Sequence, residues 1–75
     1  MEQKILEIAA KSMKVTILEA EQHYKEIPEI AGFYFWNPVR GGISVIINQN
    51  GEKLAATSGV NFDRHLDEFK KGRRN

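Results

Sequence analysis

The sequence predicts an α+β fold: an N-terminal helix, an antiparallel β-meander of three to four strands, and a C-terminal helix, in one domain spanning residues 1–75. Three observations carry that prediction. Asn50-Gly51 lies between two short runs of β-forming residues. Four aromatics, Phe33 to Trp36, stand together between Gly32 and Pro38. Phe62, Leu66 and Phe69 recur at i, i+4 and i+7, the spacing of one apolar helix stripe.

The hairpin is the firmest of these elements. Asn-Gly favours a two-residue type I′ turn, because both positions need φ > 0. With that turn at the tip, Gln49 faces Glu52, Ile47 faces Leu54, Val45 faces Ala56 and Ile43 faces Ser58. The opposite sheet face then pairs Asn48 with Lys53, Ile46 with Ala55, and Ser44 with Thr57. The first set is the more apolar and is the expected core face.

The aromatic run precedes the hairpin. Pro38 ends it, and Val39-Arg40-Gly41-Gly42 turns the chain back into Ile43. Alternation sends Phe33 and Phe35 to one face and Tyr34 and Trp36 to the other. Both faces are therefore aromatic. Tyr34, Trp36 and Ile46 share the face away from Val45 and Ile47. Two readings stay open there: an aromatic interface for a protein partner, or a face that the N-terminal helix covers or in which Tyr34 and Trp36 are themselves core. Arg40, at the adjoining turn, is a further partner-binding candidate.

The C-terminal helix has its own punctuation. Asn61 is a candidate N-cap, Asp63 sits in the first turn, Asp67 and Lys71 form an i,i+4 pair, and Gly72 suits a C′ position. Residues 73–75 are expected to fray.

The first 27 residues allow two parses. Leu6, Ala10, Met13, Ile17, Ala20, Tyr24 and Ile27 form an unbroken helical stripe. Against one long helix stands the β-branched run Val15-Thr16-Ile17. The split parse has a helix over about 2–12, a strand starting near Lys14, and a loop or short helical turn before Pro28. It also supplies a fourth strand to a meander that otherwise has a thin core.

Composition bounds the chemistry. A chain of 75 residues buries only about 60% of its unfolded surface. It has no cysteine and two histidines, His23 and His65, so a zinc site would need carboxylates as well. No cofactor is expected, and no nucleophile–base motif is present, so the reading is non-enzymatic. No apolar run approaches the ~18 residues of a membrane span, and Met1-Glu2-Gln3-Lys4 leads into no signal peptide. The expectation is a soluble cytoplasmic protein.

The net charge of +1 is unevenly spread. Residues 1–60 carry six basic and seven acidic side chains; residues 61–75 carry five and three. Lys70, Lys71, Arg73 and Arg74 hold the excess and are the residues a nucleic acid would meet. A basic cluster this small more often serves a helix C-terminus than a nucleic acid. Arg40-Gly41-Gly42 is a single copy between strands, which reads as a turn rather than an RNA-binding repeat.

Three segments carry a family resemblance: Gly32-Phe-Tyr-Phe-Trp-Asn, then Gly41-Gly-Ile-Ser-Val-Ile-Ile-Asn-Gln-Asn-Gly-Glu, then Phe62-Asp-Arg-His-Leu-Asp-Glu-Phe-Lys-Lys-Gly. Together they resemble the YrhB-like group of small bacterial proteins that includes the immunity protein 35 family. The match covers about residues 30–74. It departs in the hairpin, which lacks a Thr before Gly51, and in the short connection 37–42. The resemblance implies a non-enzymatic protein that binds and neutralises a toxin domain, with a helix–strand N-terminus. It brings no catalytic residue. The alternative function is a homodimer, joined through Ile8, Val15 and Leu18 or through an exposed strand edge.

Overall fold

A computed structural model describes residues 1–38, 42–57 and 59–75. Helix α1 spans Gln3–Met13, α2 Ile17–Gln22 and α3 Phe62–Lys70. Strands β1 (Tyr24–Ile27), β2 (Gly32–Trp36), β3 (Ile43–Asn48) and β4 (Lys53–Thr57) form one antiparallel sheet in the order β1-β2-β3-β4. The α+β class and the meander are as expected, and the strand count is four. The turn at Arg40-Gly41 lies outside the described residues.

Helix α1 buries Ile5, Leu6, Ala9, Ala10 and Met13. It stops at Lys14, whose φ of 60° is left-handed and lets the Val15 N–H reach Ala10 O at 3.0 Å. No strand begins there. Thr16 caps α2, and the pair Thr16–Glu19 closes a capping box: the Glu19 N–H donates to Thr16 Oγ1 and the Thr16 N–H donates to the Glu19 carboxylate. Those bonds, with the backbone contribution first, hold the Glu19 carboxyl below its ordinary pKa. The β-branched run is thus a helix entry, and the extra strand lies later, at Tyr24–Ile27.

The hairpin register differs from the expected one by a single residue. Ile47 faces Lys53, Ile46 faces Leu54, Val45 faces Ala55, Ser44 faces Ala56 and Ile43 faces Thr57. The cause is the tip. Only Gly51, at φ 84°, is left-handed there, so Asn50 does not supply the second positive φ of a type I′ turn. The loop is instead three residues long, Gln49 to Gly51, closed by the Asn48 N–H donating to Glu52 O. Asn48 Oδ1 accepts from both Asn50 N–H and Glu52 N–H at 3.0 Å. The slip moves Leu54 to the sheet face opposite the one expected and brings Ala55 to the α1 side.

The sheet is covered on both faces. Under α1 and α2 lie Phe35, Val45 and Ile47, with Phe33 and Ala55 at the margin. Under α3 lie Ile46 and Ile27 with Leu66 and Phe69, flanked by Tyr34, Leu54 and Phe62. Gly32 joins the sheet where no side chain fits: a Cβ there would come within 2.5 Å of Ile47 O.

The C-terminal Asn75 lies against β4. Asn75 N–H donates to Lys53 O, and its side-chain amide accepts from Ala55 N–H and donates to Ala55 O. The tail therefore completes the outer edge of β4, where Val60 N–H also donates to Thr57 O.

Candidate aromatic surface

Helix α3 is nine residues long, about 13 Å at 1.5 Å per residue, and it leaves one end of its sheet face open. Its N-terminus is set by Asn61, whose side chain accepts from Arg64 N–H at 2.9 Å. Phe62 in the first turn meets Tyr34 edge-on with centroids 4.8 Å apart. Tyr34 in turn stacks on Trp36 at 5.9 Å, and Trp36 meets His23 edge-on at 6.0 Å. Alternation along β2 places Tyr34 and Trp36 on this face, and the β1 register brings Lys25 opposite Tyr34. The Lys25 ammonium sits 3.8 Å from the Phe62 ring centroid and 5.7 Å from that of Tyr34. His23 is held from behind by Glu19 O, 3.0 Å from Nδ1.

Phe62, Tyr34, Trp36 and His23 thus form a strip along the β1–β2 side of the face. Trp36, Tyr34, Phe62 and His23 are all half-buried, with ring contacts on one side and room on the other. Such a surface is preorganised: the rings are fixed before anything binds, so little rotamer freedom remains to be lost.

The residues singled out from sequence fare differently. Tyr34 and Trp36 meet in the strip. Ile46 does not join them at the surface: it is fully buried beneath Leu66 and Phe69, so it supports the strip from below and no partner reaches it. The helix covering it is the C-terminal one. Arg40 lies outside the described residues.

The basic cluster is spent on internal contacts. Lys70 pairs with Glu29, Lys71 with Asp67 at 3.1 Å and Arg73 with Glu68 at 2.6 Å. Arg74 lies 3.7 Å from the Phe69 ring and donates to Phe69 O. Each of the four basic side chains thus has a partner within the fold.

Sequence reasoning missed His23 and Lys25 as members of the strip. The missed signal is the edge strand itself, Tyr24-Lys25-Glu26-Ile27, which carries one buried residue. His65 sits beneath the strip, 1% exposed. Its Nε2–H donates to Leu54 O at 2.7 Å, which leaves Nδ1 as a buried acceptor without a partner among the described residues. Desolvation holds its pKa below the ordinary 6.5, and the Leu54 bond opposes that shift.

Beside His65, a shallow cleft of about 230 Å³ between α3 and β4 is lined by Leu54, Val60, Arg64, Glu68 and Arg73. Among the described residues no three His, Cys, Asp or Glu side chains gather as a metal site, and no helix is long and apolar enough to cross a membrane. No family model matches the chain, and neither curated proteins nor solved structures show a significant similarity to it.

Proposed function

We propose that the protein is a non-enzymatic binding module that engages another protein through the strip centred on Trp36. The observation that carries the reading is the Tyr34–Trp36 stack on β2: both rings are half-buried, and Tyr34 packs against Phe62 of α3 while Trp36 meets only Tyr34 and His23 among the described rings. Trp and Tyr anchors of this kind dominate the energetics of protein interfaces. Lys25 at its border adds a positive charge. The resemblance to immunity-type proteins makes a toxin domain the first partner to try, in a cytoplasmic setting.

The test is calorimetric titration with the product of a neighbouring gene. Trp36→Ala is expected to weaken binding at least about thirtyfold, the effect of a hot-spot residue. Trp36→Phe, which keeps a ring on the stack, should retain most of the affinity. Equal affinity of Trp36→Ala and the parent protein, with unchanged circular dichroism, would remove the strip from the interface.

A second reading is self-association. Leu18 is 63% exposed and Ile17 and Tyr24 are also open, whereas Ile8 and Val15 pack against the α1 core. Sedimentation at micromolar concentration distinguishes the two: a dimer supports this reading, and a monomer dismisses it.

A further inference from the structure

The sheet has two edges, and the chain treats them differently. Hydrogen bonding alternates along an antiparallel strand, so every second residue turns its N–H and C=O outward. On β4 those residues are Lys53, Ala55 and Thr57, and Asn75 and Val60 meet four of their six groups: the three carbonyls and the Ala55 N–H. On β1 the inward-bonded positions follow from the Trp36 N–H donating to His23 O. His23, Lys25 and Ile27 therefore face β2, in register with Trp36, Tyr34 and Gly32. Tyr24 and Glu26 point their N–H and C=O away from the sheet. Among the described residues no backbone group meets them there.

An open edge has three occupants to choose from: water, a second copy, or a strand from another protein. Symmetry disfavours the second copy. A two-fold axis normal to the sheet sets one residue opposite itself. Centred on Lys25 it opposes two lysines; centred on Glu26 it opposes two glutamates. Like charges directly opposite one another destabilise a pair. Centred on Tyr24 it would need residues before His23 to be extended, but α2 runs to Gln22.

The same charges select a different strand. Lys25 lies on the α3 face and Glu26 on the α1 face, so each is read separately by the residue opposite it. We infer that the β1 edge accepts an extended strand of a partner protein, antiparallel, bonded to the backbone of Tyr24 and Glu26, with an acidic residue opposite Lys25 and a basic residue opposite Glu26. Strand addition of this kind takes its affinity from main-chain bonds and its specificity from alternate side chains. The exposed Tyr24 ring, packed on Phe33 and Phe35, gives the residue opposite it an apolar seat. The inference rests on the protein-binding reading and adds the backbone half of the contact to the aromatic half.

The experiment is an NMR titration of the full chain with a capped peptide, Thr-Ile-Lys-Glu-Val-Thr, which sets Lys opposite Glu26, Glu opposite Lys25 and Val opposite Tyr24. Exchange of the Tyr24 and Glu26 amides is expected to slow on saturation, while those of Lys25 and Ile27, already bonded to β2, do not change. The charge-swapped peptide Thr-Ile-Glu-Lys-Val-Thr is expected to bind at least about fivefold more weakly, because both ion pairs become like-charge contacts.

Glu26→Pro removes an outward N–H without touching a bond to β2 and is expected to weaken binding about tenfold relative to Glu26→Ala, which keeps it. If Glu26→Pro does not fold, the amide exchange of the parent protein decides alone. No protection of the Tyr24 and Glu26 amides at saturation, equal affinity for the two peptides, or a peptide-free dimer that protects these amides would each overturn the inference. None of these readouts depends on Trp36, so loss of the aromatic reading and loss of the strand reading are separable.

Discussion

The two faces of the sheet are built on different principles. The face under α1 and α2 is closed over its centre by aliphatic and aromatic side chains: Phe35, Val45 and Ile47 are fully buried there, with Phe33 half-buried and Tyr24 exposed toward the β1 edge. The face under α3 is mixed. Ile46 is as deeply buried as Val45, yet the same face holds buried Ser44 and His65, each with a polar atom that has no partner among the described residues, and half-buried Trp36. Helix α1, eleven residues long with α2 packed on it, covers the first face, and α3, nine residues long, covers the second. Stability is therefore expected to concentrate on the α1 face, and the capacity for recognition on the other.

The largest expected effect tests that division directly. Phe35→Ala removes a ring with 0% exposure and is expected to cost about 3–5 kcal/mol, enough to unfold much of a domain this small. Trp36→Ala, one residue away on the open face, should cost only about 1–2 kcal/mol, since part of its ring is already in water. Urea denaturation of the two variants measures both. Comparable costs would show that Trp36 is core and would end the division of roles.

Much of the α1 face was legible in the sequence, and less of the α3 face was. Phe33 and Phe35 were placed with Val45 and Ile47 by alternation alone, because a strand buried on one face declares its period. Leu54 went to the wrong side. Asn50-Gly51 suggested a two-residue loop, but Asn48 two positions earlier ties down the N–H groups of Asn50 and Glu52 and lengthens the loop by one. Ile46 was placed among surface candidates because no periodicity tells which helix covers which face. Strand β1 was missed because an exposed edge strand buries one residue in four and so shows no alternation. The entry to α2 was written plainly in Thr16-x-x-Glu19, a capping box that a β-branched run obscured.

The polar side of the comparison predicts a pH dependence. Burial disfavours the charged form of His65, so its folded pKa lies below the ordinary 6.5. The unfolded chain then binds the proton more tightly than the folded one. Stability is fully present at neutral pH and is lost as pH falls through the unfolded value toward the folded one. His65→Gln keeps an N–H donor for Leu54 O but does not titrate. Between about pH 7 and pH 5 its stability is expected to fall less steeply than that of the parent protein, in chemical denaturation at each pH. Parallel curves would mean that His65 is hydrated well enough to charge in place.

The smallest effect comes from the closed face, and it has the opposite sign. Lys14 turns α1 into α2 at φ 60°, a conformation that costs a side chain about 1–2 kcal/mol and glycine almost nothing. Glycine also gains freedom in the unfolded chain, which offsets part of the relief. Lys14→Gly is therefore expected to stabilise the protein by about 0.5–1 kcal/mol, read as a rise in the thermal midpoint. The Trp36 emission maximum should not move, because the junction packs against α1 and the ring lies on the far face. A shift in that emission would mean that the two faces adjust together, and the aromatic strip would then owe its geometry to the whole fold rather than to β2, α3 and His23 at the end of α2.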